Sequence, residues 1–293
     1  MDSFIIYCVN LDISSSSIKK IQIYYKEHEQ EIDQKAIFLW SCENGYLHIA
    51  KWLYYSENVD VHAIDDHAFR MSCKNGYLHV AKWLYSLGDT SVSGKRNVDI
   101  HANDDEAFRV SCENGHLCVA QWLYSLGDTS VSGKRNIDIH ANGNYAFARS
   151  CEQGHLHVAQ WLYYSLGNVD IHAYDEAPFR FSCASGYLDV AQWIYSLGNV
   201  DIHAWNEDAF TSSCLNGHLD VAKWLHSLGG VDIHTYGDFA FKLSCGNGHL
   251  NVAHWLTSIC KDYEIINILD NEITYKINKF MWFKNTDRCL FIF

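Results

Sequence analysis

The sequence predicts an all-α dominated solenoid, built from seven stacked units of two short helices each. A Ser-Cys pair recurs along the chain, and its cysteines are spaced by 31, 39, 39, 32, 31 and 31 residues. Three residues after each of these cysteines stands a glycine, and a second apolar segment follows it. Proline occurs once in 293 residues, which disfavours long loops and turn-rich sandwiches. A pattern of about twenty residues that recurs at a fixed period is typical of repeat architectures.

The first helix of each unit is predicted from the spacing of its small and apolar residues. In the unit over residues 106–127 they recur at helical intervals, at Ala107, Phe108, Ser111 and Cys112. Asp104 and Asp105 precede this segment and suit an N-cap and first turn. Gly115 is expected to end the helix in the left-handed conformation.

The second helix covers about residues 117–126, and its apolar stripe is formed by Leu117, Val119, Ala120, Trp122, Leu123 and Leu126. Gly127 closes it, and an extended stretch of the type Val-Asp-Ile-His-Ala leads into the next unit. Isolated helices of this length are marginal in water, and one pair cannot bury its own apolar stripe. Stacking of neighbouring units solves both problems, which predicts a solenoid.

The unit resembles an ankyrin repeat. Residues 217–229, Gly-His-Leu-Asp-Val-Ala-Lys-Trp-Leu-His-Ser-Leu-Gly, match the second half of that repeat in length and pattern. Ala-Phe-Arg at 107–109 stands where ankyrin repeats carry Pro-Leu-His, and Pro178 falls at the proline position of its own unit. In detail the array is most similar to the divergent tandem ankyrin-repeat proteins of giant DNA viruses.

The units also depart from the ankyrin pattern. They are 31 residues long rather than 33, and the Asp-Gly-x-Thr-Pro turn is absent. The β-hairpin fingers that this family often uses for partner contacts are therefore expected to be short or absent.

The chain is predicted to have three parts. Residues 1–33 lack the repeat and are expected to contain a capping helix, since a terminal unit needs a polar outer face. Residues 34–258 hold the seven repeats, two of which carry eight-residue insertions. Residues 259–293 form a C-terminal extension, a cap plus a tail, in which 261–285 is predicted to add one or two helices.

The insertions resemble a phosphate-binding loop at first sight. The stretch WLYSLGDTSVSGKRN occurs at 83–97 and again at 122–136. A phosphate loop needs four residues between its glycines, a Ser or Thr after the lysine and a preceding strand. Here five residues separate Gly88 from Gly94, Arg96 follows Lys95, and a helix precedes. The insertions are therefore predicted to be polar surface loops, copied when one unit was duplicated.

Cysteine and histidine recur in columns, but no metal site or cofactor is predicted from them. Equivalent residues in stacked units lie about 8–10 Å apart, too far to close around one zinc ion. We expect the column cysteines to be small buried residues where ankyrin units have alanine. The column histidines, such as His101, are expected to hydrogen-bond within the inter-repeat turn. No nucleophile, base and orienting group occur together, so no enzymatic activity is predicted.

One tryptophan recurs in the second helix of every unit. Such a column resembles a stacking platform for bases, yet at helical spacing with Leu and Val it is predicted to be core. The formal net charge of −13 also disfavours a nucleic-acid partner.

The location of the protein is predicted from its N-terminus and its thiols. No apolar run is long enough to cross a membrane, and the first residues do not resemble a signal peptide. Eleven cysteines without such a signal are read as reduced thiols. A cytoplasmic monomer is expected, in the host cytoplasm if the protein is viral.

The residues that follow each His-Ala vary from unit to unit, and by analogy with ankyrin domains they should line one edge of a concave groove. An acidic rim with exposed aromatic side chains, flanked by basic residues of the first helices, would suit a partner with basic and apolar anchors. The candidate contacts are Asp65, Asp66, Asp104, Asp105, Tyr145, Tyr174, Trp205, Tyr236, Arg70, Arg109 and Arg180. Alternatively, the acids are helix caps and the variation is drift.

The resemblance implies a non-enzymatic scaffold that binds a partner protein along its concave face. Two alternatives stay open: a repeat array without a specific ligand, which the 15-residue duplicate favours, and a substrate-recruiting adaptor of a ubiquitin pathway.

Overall fold

A computed structural model of the chain describes residues 33–57, 59–87, 98–127, 136–167, 169–269, 272–277, 280–285 and 288–291, with isolated helical positions at 20, 23, 24 and 27. Both eight-residue insertions and most of the predicted N-terminal cap lie outside the described residues. The chain divides into two compact units, residues 1–142 and residues 143–293.

The first unit contains three helix pairs. Their bounds are α1 Gln34–Glu43 and α2 Leu47–Glu57, α3 Ala63–Lys74 and α4 Leu78–Ser86, α5 Ala102–Glu113 and α6 Leu117–Gly127. Asp33 caps α1, because its side chain accepts a hydrogen bond from the amide of Ala36 at 3.1 Å.

The second unit contains four helix pairs and a sheet, and its first helix starts at the unit boundary. The helices are α7 Ala141–Glu152 and α8 Leu156–Trp161, which continues as a π-helical turn over Leu162–Leu166, then α9 Ala173–Ala184 and α10 Leu188–Ser196, α11 Ala204–Leu215 and α12 Leu219–Leu228, and α13 Thr235–Gly246 and α14 Leu250–Ile259. Successive first helices α9, α11 and α13 pack side by side. The predicted helical solenoid is therefore confirmed, as a stack of helix pairs in each unit.

The core of every repeat consists of the residues that the helical spacing singled out. The phenylalanines of the first helices are all fully buried: Phe38, Phe69, Phe108, Phe147, Phe179, Phe210 and Phe241. Beside each lies the buried serine and cysteine of the Ser-Cys pair, and from the second helix the buried Val or Ile and Ala. The serine hydroxyl is satisfied within its own helix, as where Ser111 donates to the carbonyl of Phe108 at 2.8 Å.

The tryptophan column joins neighbouring repeats. Each of Trp83, Trp122, Trp193, Trp224 and Trp255 meets the phenylalanine of the preceding repeat, with ring centroids 6.1–6.4 Å apart. Trp83 is buried and the others are half-buried. These ring contacts place the column between repeats by packing, and of the five tryptophans the prediction of a core position is met by Trp83.

The glycine that ends each first helix has the left-handed conformation predicted for it, with φ between +76° and +83°. It also admits the aromatic ring that follows the glycine of the next repeat. A Cβ placed on Gly76 would lie 2.5 Å from Nδ1 of His116, and one on Gly217 would lie 2.5 Å from Nδ1 of His249. Tyr77 and Tyr187 fill the same position against Gly45 and Gly154. Tyr and His both occur at this position because both present a flat ring to the glycine.

The C-terminal extension is a sheet, so the prediction of one or two helices over 261–285 was wrong. Strands β1 Tyr263–Leu269, β2 Glu272–Ile277, β3 Phe280–Asn285 and β4 Arg288–Phe291 form an antiparallel meander in the order 1-2-3-4. Ile273, Tyr275 and Ile277 alternate along β2 and are buried. This period of two is a strand signal, and β-branched and aromatic residues favour a strand over a helix here.

The sheet covers the end of the last repeat. Tyr263 stacks on Phe241 with ring centroids 4.3 Å apart, and Tyr275 meets the same ring edge-on at 5.3 Å. In the preceding repeat the corresponding phenylalanine, Phe210, is covered by Trp255. The first two strands therefore stand in for an eighth repeat.

Candidate functional site

The variable segment after each His-Ala, or after His-Thr in the last repeat, is a single turn of left-handed helix. Three consecutive residues have positive φ in every such segment, at 64–66, 103–105, 142–144, 174–176, 205–207 and 236–238. L-residues reach this conformation at a cost of about 1–2 kcal/mol each, least for Gly, Asn and Asp. We refer to this segment as the left-handed turn and to its residues as the first, middle and third positions.

The middle position of the turn carries only residues that tolerate positive φ. They are Asp65, Asp104, Gly143, Asp175, Asn206 and Gly237. The pattern is visible in the sequence, where sequence reasoning took it as an acidic rim and did not recognise a conformational requirement. The turn takes the place of the β-hairpin finger: no strand is present at these positions within the described repeats.

The third position carries a buried carboxylate in most repeats. Asp66 Oδ1 lies 2.6 Å from Nδ1 of His62, and Asp66 Oδ2 accepts the amide of Asp99 in the next repeat at 3.3 Å. Asp105 makes the same pair of bonds, to His101 at 2.6 Å and to the amide of Asp138 at 3.0 Å. The histidine column thus hydrogen-bonds within the inter-repeat turn, as predicted.

This burial corrects the prediction for two candidate contacts. Asp66 and Asp105 are fully buried, and their oxygens bind the histidine and the next repeat. A buried carboxylate needs such partners, since an unpaired one would cost several kcal/mol. Their role is to join repeats.

The arginines of the first helices clamp the turn. Arg70 donates from Nε and Nη2 to the carbonyls of Asp65 and Ile64, at 3.0 and 3.2 Å. Arg109 donates in the same way to the carbonyls of Asp104 and Asn103, both at 2.8 Å. Arg180 donates to the carbonyls of Asp175 at 2.7 Å and Tyr174 at 3.1 Å. A planar guanidinium offers two parallel donors, which suits two successive carbonyls.

The third arginine nitrogen reaches the following repeat. Nη1 of Arg70 hydrogen-bonds Glu106, and Nη1 of Arg180 lies 2.6 Å from Asp208. Arg180 is only 5% exposed. The prediction that Arg70, Arg109 and Arg180 contact a partner is therefore not supported by their surroundings, because these donors already bind the protein's own turns.

The first position of the turn carries the exposed aromatic side chains of the second unit. Tyr174, Trp205 and Tyr236 are 68%, 62% and 65% exposed and occupy the same position in three consecutive repeats. Trp205 lies over the Arg180 guanidinium, whose Cζ is 4.7 Å from its ring centroid, and its Nε1 donates to Asp175 at 3.0 Å. Tyr236 accepts from Asn206 at 2.8 Å through its hydroxyl oxygen. These side chains are exposed yet held in place, and we call the three residues the aromatic row.

The remaining predicted contact residues are not part of the aromatic row. Tyr145 follows its turn and is half-buried, with its ring centroid 5.7 Å from Cζ of Arg149. In the first unit, Asp65 and Asp104 hold middle positions and are exposed. Of the eleven predicted contact residues, the structure brings three into one continuous exposed row and places Asp65 and Asp104 on the surface of the first unit.

The cysteine column offers no reactive thiol. Its members are buried from Cys42 to Cys245, and burial raises the pKa of each of these thiols. For Cys245 the pKa rises to about 12. A thiol with such a pKa is protonated at neutral pH and is a weak nucleophile and metal ligand. The column is structural, as predicted.

Residues 180–226 match the family model for ankyrin repeats (many copies). A search of curated proteins gives no match for the chain. None of the helices that the structure describes combines the length and the apolarity that spanning a membrane requires. Ankyrin repeats are generally protein–protein interaction modules and are typically not enzymes. The matched segment contains the whole of helices α10 and α11 and parts of α9 and α12, and equivalent helices recur through both units, which together support an ankyrin-repeat protein.

Proposed function

We propose that this protein is a non-enzymatic scaffold that binds a partner protein through the aromatic row of its second unit. The observation that carries the proposal is the exposure of Tyr174, Trp205 and Tyr236 in consecutive repeats. Large aromatic residues are enriched among the contacts that dominate binding energy, particularly where they are pre-positioned.

The charges beside the row define the chemistry of the partner. Asp175 is exposed and bonded to Trp205, and Asp208 is half-buried beside Arg180. The chain as a whole carries a formal charge of −13. A segment with basic side chains between apolar or aromatic anchors would complement this surface. Its binding would weaken with rising salt as the charges are screened.

The rigidity of the row supports binding with little rearrangement. Each turn is held by an arginine that binds its carbonyls, by a buried carboxylate or by its left-handed backbone. Trp205 is also held by Asp175 on one side and Arg180 on the other. An anchor that is ordered before binding loses less side-chain entropy on association. A cytoplasmic location, a monomeric state and the narrower resemblance to viral arrays belong to this proposal as predictions.

A differential pull-down tests the proposal. The baits are the wild-type chain and a Tyr174→Ala, Trp205→Ala, Tyr236→Ala triple variant, with Tyr55→Ala, Tyr164→Ala as matched control. Tyr55 and Tyr164 are 74% and 64% exposed and lie in second helices, away from the left-handed turns. Far-UV circular dichroism must first show the same helix content in all three proteins.

We expect a partner that the wild type and the control retain and the triple variant loses. The purified partner should then bind the wild type in calorimetry and lose at least about tenfold in affinity with the triple variant. If all baits recover the same proteins, or none recovers any, the row is not a binding surface. The alternative of an array without a specific ligand would then gain support. Recovery of ubiquitin-ligase subunits would instead favour the adaptor role.

A further inference from the structure

A group of potential metal ligands lies where the last repeat meets the sheet. His234, Cys260 and Asp262 each place one ligand atom within 4.8 Å of the others. Imidazole nitrogen, thiolate sulfur and carboxylate oxygen are the three donor types that zinc takes from proteins. Cys260 stands outside the cysteine column, and its potential co-ligands come from different segments and not from equivalent positions of stacked repeats.

The group exists because the segment after α14 departs from the repeat. When helices α12 and α14 are aligned, Cys260 and Asp262 stand where the preceding repeat has Gly229 and Val231. In that repeat a Cβ on Gly230 would lie 3.3 Å from Nε2 of His203, so this ring edge faces the connecting segment. His234 instead has a thiol and a carboxylate near one of its ring nitrogens. His203 is therefore the equivalent histidine of a repeat that lacks the thiol and the carboxylate.

His234 is already oriented as a metal ligand. Its Nδ1 lies 2.6 Å from Oδ1 of Asp238, and the hydroxyl of Tyr263 donates to the same oxygen at 2.7 Å. A carboxylate on Nδ1 fixes the tautomer with the proton on Nδ1 and leaves Nε2 with its lone pair free for a metal. In other repeats the hydrogen bond between histidine and carboxylate holds the left-handed turn. In this repeat the same hydrogen bond orients His234 as a metal ligand.

The combined charge of the three side chains and the distances between their ligand atoms suit one divalent ion. A thiolate, a carboxylate and a neutral imidazole together carry two negative charges, which one divalent ion neutralises. Tetrahedral zinc places its ligand atoms roughly 3.3–3.8 Å apart, from bond lengths of about 2.0–2.3 Å. The 4.8 Å limit exceeds these separations by about 1–1.5 Å, a distance that the exposed side chains of His234 and Asp262 can close by moving toward the buried Cys260.

We propose that His234, Cys260 and Asp262 bind one Zn²⁺ ion, with a water molecule at the fourth position. The thiol of Cys260 gives up its proton to solvent as the zinc–sulfur bond forms, so binding is favoured as pH rises. The ion would link the turn before α13 to the start of β1 and so fasten the sheet to the last repeat. This inference is independent of the aromatic row.

Cobalt is the probe of choice, since it replaces zinc with similar geometry and reports its ligands by absorption. The full chain is treated with a chelator, kept reduced with a phosphine and titrated with Co²⁺. We expect one equivalent to bind with an ultraviolet thiolate-to-cobalt charge-transfer band, and Zn²⁺ to displace it. Saturation without that band would overturn the proposal, as would no binding at micromolar concentration.

Variants assign the ligands. Cys260→Ser should abolish the charge-transfer band, and Asp262→Asn, at an exposed position that the fold does not need, should weaken binding by more than about tenfold. Cys118→Ser removes an exposed thiol elsewhere, and His203→Ala removes the matched histidine. Both controls should bind cobalt like the wild type. If Cys118→Ser abolishes the band, or if Asp262→Asn leaves the affinity unchanged, the site is not the one proposed. Circular dichroism of each variant separates ligand loss from unfolding.

Discussion

Two glycines that follow second-unit helices allow the contribution of one inter-repeat contact to be measured. Gly217 and Gly229 have φ of +80° and +89°. A Cβ on Gly217 would lie 2.5, 2.8 and 2.9 Å from three ring atoms of His249, whereas one on Gly229 would meet nothing within 4 Å. Gly217→Ala therefore adds a steric overlap to a backbone strain, and Gly229→Ala adds the strain alone.

The expected free energies follow from these two effects. Left-handed alanine costs about 1–2 kcal/mol, and forcing an extra methyl group into a packed contact costs about 1–3 kcal/mol more. Gly217→Ala should lower the free energy of unfolding by about 2–5 kcal/mol. Gly229 has ψ of +160°, an extended conformation at positive φ that glycine alone adopts readily, so Gly229→Ala should lower it by about 1–3 kcal/mol through backbone strain.

Urea unfolding followed by far-UV circular dichroism measures both values. Tryptophan fluorescence provides a second probe, because coincident transitions are needed to treat a repeat array as two-state. A double-mutant cycle with His249→Ala completes the test, since removing the ring should recover about 1–3 kcal/mol of the Gly217→Ala loss. No recovery in the cycle would refute the role assigned to this contact.

Three further predictions concern the turns and the ring column. Asp104→Val should lower the free energy of unfolding by about 1–2 kcal/mol, because a β-branched residue tolerates positive φ poorly, while Asp104→Gly should change it by less; urea unfolding measures both. Arg180→Lys should destabilise by about 1.5–3 kcal/mol in the same assay, since an ammonium cannot bond both turn carbonyls and Asp208 in the fixed arrangement of a guanidinium. Burial lowers the pKa of His116 and of His218, against an opposing backbone hydrogen bond in each case. The unfolded chain therefore binds protons more readily than the folded one just below the ordinary histidine pKa of about 6.5, and stability should fall as pH is lowered through that value. His116→Tyr, which introduces the residue found at position 77, should flatten this pH dependence of the urea midpoint; an unchanged slope would contradict the assignment.

The helical framework could be predicted from the sequence because a single interaction type determines it. Phe108, Ser111 and Cys112 recur at helical spacing in every repeat, and burial of that stripe is enough to specify helix pairs that stack. Gly115 and its equivalents predicted the helix ends, since glycine alone reaches positive φ without strain. Periodicity and turn chemistry are local signals, and seven copies made them unmistakable.

The candidate surface could be predicted only in part, because its residues were assigned from their charge. Asp66 and Asp105 are acids that serve a buried hydrogen-bond network, and their partners are the histidine four residues earlier and an amide in the next repeat. Arg180 is a cation whose donors reach carbonyls five and six residues earlier. These pairings depend on the left-handed turn, a conformation that no propensity rule assigns to Tyr174-Asp175-Glu176. The sheet was missed because the alternation of Ile273, Tyr275 and Ile277 spans only five residues and follows seven repeats with a helical pattern.

The turn geometry explains why the aromatic row stands apart from the rest of the repeat. The third position is restricted by its buried hydrogen bonds and the middle position by its φ, which leaves the first position as the one free to differ between repeats. It does differ: the residues there are Ile64, Asn103, Asn142, Tyr174, Trp205 and Tyr236.

Stability alone does not account for the three aromatic residues. An aromatic side chain at positive φ is strained relative to asparagine, and one that is more than 60% exposed recovers little free energy by burial. Drift would favour residues that suit the conformation, as the asparagines at 103 and 142 do. Three consecutive repeats carry residues that the left-handed backbone disfavours, and a partner that covered them, as proposed above, would supply the burial which the isolated chain does not provide.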